Sequence, residues 1–301
     1  MKRRAQGRTA GTWDRKAWPA YFAAANLATL QHAEPFLSHM LVAVNELVGQ
    51  DEIDVVRRFV DGGKHVLLDS GVYWLSTQHA KAHGITMDEA LSLAPAEVDG
   101  FDELYRRYRT LVGELGDRLW GYIEVDQGGR ENKVKTRALI EADGLRPIPV
   151  YHPLIDGWEY FDELAQRYDR ICFGNIVRAG KEARKRFLAT AWERRRAYPD
   201  LWIHGLGLTP GPLSLAFPLN SCDSSSWTAG LRWNSISSTI AAGSGGRMSQ
   251  EFRYRRVEDG GDGWAKGAHF CGYEAAMIQR TIGNVAADQR AALGADLGLF
   301  R

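Results

Sequence analysis

The sequence predicts an α/β fold of the TIM-type (β/α)8 barrel class. Three observations lead to this prediction: short apolar runs recur along the chain, amphipathic segments separate them, and the runs number eight. Strands that alternate with helices are typical of a parallel sheet, and eight such units are typical of a closed barrel. A doubly wound open sheet is the competing interpretation.

The candidate strands are short apolar runs that end in polar or turn residues. In chain order they cover residues 20–26, 40–45, 65–70, 120–126, 148–152, 170–175, 201–207 and 218–224. The first two are the least distinct, because the composition of AYFAAAN fits a helix equally well.

Helical periodicity occupies the intervals between these runs. In FDELYRRYRTLVGELG, six apolar or aromatic residues recur at helical spacing: Phe101, Leu104, Tyr105, Tyr108, Leu111 and Val112. Further helical segments are DEIDVVRRFVDGG, KVKTRALIEADG, WEYFDELAQRYD and KEARKRFLATAWERRRAYPD. Gly62–Gly63, Gly116 and Gly144 stand where helix C-caps are expected.

Changes in composition divide the chain into three segments. Residues 1–18 are basic and predict a flexible arm, and residues 19–224 predict the barrel core. Residues 225–301 predict an appendage on the barrel mouth, which completes the barrel and its nucleic-acid face. Within it, SSSWTAGLRWNSISSTIAAGSGGR predicts loops with short elements, QEFRYRRVEDGGDG a basic strand and turn, and 267–293 a helix.

Composition excludes several classes of protein. A 45% hydrophobic and 25% charged composition is typical of a soluble globular chain. No apolar run is long enough to span a membrane, and no apolar signal core follows the basic N-terminal residues. Cys172, Cys222 and Cys271 share no metal-like spacing and build no disulfide framework, so we expect a cytoplasmic protein.

Polar side chains stand at or near the ends of six of the predicted strands: Asp69, Asp126, His152, Asn175, His204 and Asp223. Any one of them alone is explained by helix capping or by hydrogen bonds to the backbone. Six at equivalent places predict a functional rim, because carboxylates and imidazoles are costly to bury without a use. Asp69 and Asp223 provide one nucleophile and one proton carrier, as in glycosidic cleavage through a covalent intermediate.

Several short segments resemble the tRNA-guanine transglycosylase superfamily, over about residues 60–230. LLDSGVYWL resembles the segment with the general acid/base aspartate, and CDSSSW the segment with the nucleophilic aspartate. HGLGLTP resembles the family's glycine-rich turn with one inserted residue, Leu208. YIEVDQ and RICFGNIV resemble the strands that hold the base.

The resemblance implies a role for each residue. Asp223 is the nucleophile and Asp69 the general acid/base. The implied base-binding residues are Asp126, Gly174, Asn175, His152, His204, Gly205, Gly207 and Tyr73. No cofactor is implied, and a free 7-deazaguanine base is the implied second substrate.

Two departures from the family's tRNA enzymes point to DNA. Only His269 and Cys271 follow Cys222, too few donors for the family's zinc site of three cysteines and a histidine, so we expect no zinc subdomain. PVYHPL places His152 where those enzymes present a glutamine. The chain is therefore most similar to the DNA-modifying transglycosylases of phages and bacteria, which act in the cytoplasm of the cell or of the phage's host.

A basic stripe over residues 178–196 is predicted to contact the nucleic-acid backbone. A solvated helix on the barrel exterior is the alternative explanation of this stripe. The predicted backbone contacts are Arg178, Lys181, Arg184, Lys185, Arg232, Arg253 and Arg255.

Three other functions stay open from the sequence. One is a zinc-free tRNA-guanine transglycosylase. A more remote one is a metal-dependent barrel hydrolase that uses His152, His204, Asp126 and Asp223, although these residues lack the spacing of a tight ligand cluster. The third is a nucleic-acid-binding subunit without catalysis.

Overall fold

The computed structural model describes residues 20–198, 200–209, 219–228, 235–242, 246–253, 267–268, 271–273, 275–276 and 278–279. The predicted basic arm, Arg232 and Arg255 lie outside these residues. Among the described residues, no helix is both long and apolar enough to cross a membrane.

Eight parallel strands form the main sheet. They are β1 Ala20–Ala24, β2 His39–Ala43, β3 His65–Asp69, β4 Gly121–Tyr122, β5 Val150–Tyr151, β6 Arg170–Phe173, β7 Trp202–Gly205 and β8 Ser221–Ser224. The hydrogen-bonded order is β4-β3-β2-β1-β8-β7-β6-β5. Consecutive strands are neighbours except β4 and β5, which stand at the two ends of this order, and β1 pairs with β8. A doubly wound sheet would instead reverse its order in the middle. The α/β prediction is confirmed, and the arrangement is TIM-like.

Helices alternate with the strands. They are α1 Leu27–Ala33, α2 Gln50–Asp61, α3 Val72–His83, α4 Met87–Ser92, α5 Phe101–Leu115, α6 Gly129–Ala142, α7 Trp158–Arg167 and α8 Lys181–Arg195. The five helices predicted from periodicity are present. Helices α1, α3 and α4 carry no periodicity that predicted them from the sequence. On α3 the buried face includes Ser76 and His79, so no apolar stripe marks it.

The chain divides into two compact units. The first is Val42–Val150, and the second contains the described residues of Asp14–Leu41 and Tyr151–Arg301. In the first unit β3 pairs with β4, and Ile123 pairs in parallel with Ile148. In the second unit β1 lies between β2 and β8, and β7 lies between β6 and β8.

The core of each unit follows from its apolar pattern. In the first unit, Leu104, Tyr108 and Leu111 on α5 are buried, and the Tyr108 hydroxyl donates to the Ile123 carbonyl at 2.7 Å. In the second unit, every residue of β6, β7 and β8 is buried. Fully buried parallel strands usually carry apolar runs, as β6 and β7 do, whereas β8 buries Ser221, Asp223 and Ser224.

The appendage contains a two-stranded antiparallel sheet. In the segment where loops with short elements were expected, Ser235–Ala242 is a strand, β9, paired with β10, Gly246–Arg253. Serine and glycine suggest turns, yet the two strands satisfy each other's backbone groups along their whole length. The predicted basic strand overlaps β10. The described residues within the predicted 267–293 helix are helical.

Candidate active site

A group of hydrogen-bonded polar residues lies at β7 and β8 of the second unit. We call it the Asp223 cluster and define it as Trp202, His204, Gly207, Ser221 and Asp223. Trp202 and His204 lie two residues apart on β7, and Ser221 and Asp223 lie two residues apart on β8. Since side chains two apart on a strand share a face, neighbouring parallel strands bring all four together. His204 lies opposite Ser221 in the strand register.

A chain of hydrogen bonds runs through this cluster to the carboxylate. The indole Nε1–H of Trp202 donates to Ser221 Oγ at 2.7 Å, and Ser221 Oγ lies 2.7 Å from His204 Nδ1. His204 Nε2 lies 3.0 Å from Asp223 Oδ1. One arrangement satisfies every group: the Ser221 hydroxyl donates to Nδ1, and a neutral His204 donates its Nε2–H to Asp223.

Asp223 is therefore held at one oxygen. Oδ1 accepts from His204 and also from the backbone N–H of Gly207 at 3.0 Å. The described residues make no hydrogen bond to Oδ2, and the residue is only 6% exposed. A buried carboxylate with one oxygen fixed and the other available has the geometry that a nucleophile requires.

The glycine-rich turn after β7 packs closely against its neighbours because Gly205 and Gly207 have no side chain. A Cβ on Gly205 would lie 3.1 Å from Leu219 Cδ1, and Gly207 has a φ of 65°, which favours glycine. The turn therefore brings the Gly207 N–H to the carboxylate.

Groups beside Asp223 stay neutral. Burial raises the pKa of the Cys222 thiol well above its usual range, so this cysteine is an inert packing residue. Burial also raises the pKa of Tyr21, whose hydroxyl donates to the Ser224 carbonyl at 3.0 Å. Phe22 packs edge-on against the His204 ring, with centroids 5.6 Å apart.

Three predicted base-binding residues follow β5 and β6 in the second unit. The His152 backbone N–H donates to Asp156 at 2.8 Å, and the Gly174 N–H donates to the Tyr151 carbonyl at 2.9 Å. Asn175 has a φ of 61°, the one positive value of a non-glycine residue in the described chain. Such a conformation costs about 1 kcal/mol and is common at functional sites.

The residues of the predicted basic stripe differ in their contacts. Arg178 is exposed, and Lys185 pairs with Glu182 at 2.9 Å. The Arg184 guanidinium donates to the carbonyls of Ile176, Val177 and Ala179, so it braces the turn after β6. Lys181 begins α8 and Arg253 ends β10.

The first unit holds a separate group around Asp69, which ends β3. Asp69 is half-buried, and its Oδ2 lies 3.4 Å from the Gly71 backbone N–H. Gly71 has a φ of 81°, and a Cβ there would lie 3.0 Å from Asn45 Oδ1. That Asn45 oxygen is buried and has no hydrogen-bond partner among the described residues. An unpaired buried acceptor is costly, which marks Asn45 as a candidate ligand contact.

The other predicted residues of the first unit differ in exposure. Tyr73 is 67% exposed, and Asp126 is half-buried. Next to Asp126, Gln127 is buried; it accepts from Ser76 and donates to the carbonyls of Ala90 and Leu93.

A buried ionic group is formed by Glu124, which follows β4, and by Arg137 and Lys133 of α6. Glu124 is fully buried, accepts from Arg137 at 2.7 Å and accepts from the Val150 N–H at 2.6 Å. Burial raises the pKa of Glu124 to about 7, against the effect of Arg137 and Lys133. Lys133 is also buried and donates to the Val150 carbonyl.

Sequence reasoning missed Trp202, Ser221 and Asn45. Trp202 and Ser221 precede His204 and Asp223 by two positions, so strand periodicity would have placed them on the same face. Asn45 ends an apolar run in the same way as Asp69 does.

Comparisons with known proteins provide no family. No family model and no curated protein matches the chain. Among solved structures, a protein from a structural study of Aquifex aeolicus VF5 is 10% identical with a TM-score of 0.49, over 90% of this chain and 97% of that one. A protein from Coccidioides immitis, provisionally described as a fructose-1,6-biphosphate aldolase, is 11% identical with a TM-score of 0.40, over 89% and 92%. Both TM-scores lie below 0.5, and neither likeness identifies an activity.

Proposed function

We propose that this protein is a DNA-guanine transglycosylase that exchanges guanine in DNA for a free 7-deazaguanine base. The observation that carries the proposal is the Asp223 carboxylate, which is buried, fixed at Oδ1 by two N–H donors and not hydrogen-bonded at Oδ2 by the part of the chain that the structure describes. We further propose that the strands close into a barrel and that the C-terminal appendage forms the face that binds nucleic acid.

The reaction takes place in two displacements. Asp223 Oδ2 attacks C1′ of the deoxyribose, the C1′–N9 bond breaks, and guanine leaves with a proton from Asp69. Asp69 then removes the proton from N9 of the incoming base, which attacks C1′ and releases the carboxylate. Two inversions at C1′ give retention of configuration. A target base in duplex DNA has to be flipped out of the stack first.

Local structure supports the division of roles between the carboxylates. Asp223 accepts two hydrogen bonds at Oδ1, from His204 and from the Gly207 N–H, which orient the carboxylate as a nucleophile requires. Asp69 is half-buried, so solvent and a substrate can both reach it, which suits a group that exchanges protons. Asn45 Oδ1 next to Gly71 offers an acceptor for a base N–H.

The test is exchange of labelled guanine into DNA and into tRNA, measured side by side with the full-length protein. We expect exchange into DNA, together with a denaturation-resistant protein–DNA adduct. Asp223→Asn should abolish both, whereas Asp51→Asn, an exposed aspartate on α2, should leave both unchanged. Exchange into tRNA alone would favour the tRNA enzyme, and exchange by Asp223→Asn would remove this residue from the nucleophile role.

Asp69 is tested by combining variants. If both carboxylates act on one glycosidic bond, the Asp69→Asn, Asp223→Asn double variant should be no slower than Asp223→Asn alone, because residues that act as a unit are not additive. Asp69→Asn alone should retain some adduct formation with DNA that carries a good leaving base, which needs no proton. Full activity of Asp69→Asn on guanine would contradict its role.

A further inference from the structure

Three potential metal ligands converge in the first unit, and none of them has a role in the proposed glycosyl transfer. His79 and His83 lie one helical turn apart near the end of α3, and Asp99 directly precedes Gly100, the N-cap of α5. His79 Nδ1, His83 Nε2 and Asp99 Oδ2 all lie within 4.8 Å of one another. Among the described residues, this is the one such group of three or more histidine, cysteine or acidic side chains.

The simplest explanation covers only part of this arrangement. His83 Nε2 lies 2.6 Å from Asp99 Oδ2, and an exposed pair of this kind is common and contributes about 0–1 kcal/mol. It does not account for His79, which is 6% exposed yet turns Nδ1 to within 3.3 Å of the same oxygen. Nδ1 also accepts the Asp99 backbone N–H at 3.2 Å, so its lone pair points toward this residue.

The distances suit a small divalent cation. With metal–nitrogen and metal–oxygen distances of about 2.0–2.1 Å, ligand atoms of a tetrahedral zinc site lie about 3.3–3.4 Å apart. The separation of His79 Nδ1 and Asp99 Oδ2 is 3.3 Å. His83 must withdraw slightly from Asp99, which both side chains can do because they are 50% and 73% exposed. The Asp99 N–H, on an exposed residue, turns to water when Nδ1 binds the metal.

We propose that His79, His83 and Asp99 form a zinc site, with water in the fourth position. The ion joins the end of α3 to the start of α5 and closes the loop of residues 84–98, which carries α4. Imidazole and carboxylate ligands favour zinc over calcium or magnesium. The proposal does not depend on glycosyl transfer, because none of the three residues belongs to the Asp223 cluster or contacts Asp69.

The test is titration of chelator-treated full-length protein with zinc, by calorimetry and by thermal unfolding. We expect one equivalent to bind and to raise the unfolding temperature. His83→Gln and Asp99→Asn, both on exposed side chains, should each weaken binding about tenfold or more. His32→Gln, which removes an exposed histidine elsewhere, should not change it.

Cobalt substitution reports the ligands directly. We expect visible absorption of a four-coordinate nitrogen and oxygen site, which is lost in His83→Gln. Intense near-ultraviolet bands would instead indicate thiolate ligands from the cysteines and overturn the proposal. Absence of zinc binding, or unchanged affinity in both variants, would overturn it as well.

Discussion

Ser221→Ala tests the chain of hydrogen bonds that positions Asp223. The Ser221 hydroxyl satisfies two buried groups, Trp202 Nε1–H and His204 Nδ1, each at 2.7 Å. A buried polar group left unpaired costs ~1–3 kcal/mol, so the variant should lower the free energy of unfolding by about 2–4 kcal/mol. Ser76→Ala is the matched control, since it removes a buried hydroxyl that donates to Gln127, and it should cost about 1–2 kcal/mol.

Urea unfolding followed by tryptophan fluorescence measures both losses, and nitrogen NMR of the histidine rings measures the mechanism. In the wild-type protein His204 should carry its proton on Nε2, and the Nδ1 resonance should shift in Ser221→Ala. Guanine exchange should fall about tenfold or more, as when a partner that orients an active group is removed. A proton on Nδ1 in the wild type, or a cost no larger than that of Ser76→Ala, would refute the reasoning.

Three further predictions concern stability and binding. The pKa of Glu124 is raised from 4.5 to about 7 in the folded state. The stability that this group contributes is therefore fully present below pH 4.5 and is lost as the pH rises through about 7. Urea unfolding across this range should show the loss in the wild type and not in Glu124→Gln. Gly207→Ala should lower stability by about 1–2 kcal/mol because of its φ of 65°, whereas Gly113→Ala, in an open helical position, should raise it by about 0.5–1 kcal/mol in thermal unfolding. Asn45→Ala should not lower stability in urea unfolding, because an unpaired buried acceptor is costly and Oδ1 has no partner among the described residues. It should weaken binding of free guanine in calorimetry, and unchanged affinity would exclude Asn45 as a base contact.

The strands could be predicted because burial leaves a record in the sequence. β6, β7 and β8 are buried at every position; β6 and β7 are mainly apolar, whereas three of the four residues of β8 are polar. The helix α5 could be predicted for the same reason, since its buried residues recur at helical spacing. α3 was missed because its buried face includes Ser76 and His79, whose partners lie elsewhere in the chain.

The polar interior could be predicted only in part. Asp223 and His204 stand out as polar residues in apolar runs, so the sequence identifies them as functional candidates. Lys133 and Arg137 are spaced by four residues on α6, a pattern that usually marks a solvated face. Their burial follows from partners outside the helix, since Arg137 pairs with Glu124 and Lys133 donates to the Val150 carbonyl, and no local pattern reveals these pairings.

The turn after β7 shows how an inserted residue changes the role of a motif. The family resemblance implies that Gly207 contacts the base, yet its N–H donates to Asp223 at 3.0 Å. The inserted Leu208 is 4% exposed, and its Cδ2 would lie 3.3 Å from a Cβ on Gly205, so the extra residue is packed into the unit and fixes the path of the turn. Because the Gly207 N–H and His204 both bond to the Asp223 carboxylate, the turn and the histidine together fix its orientation.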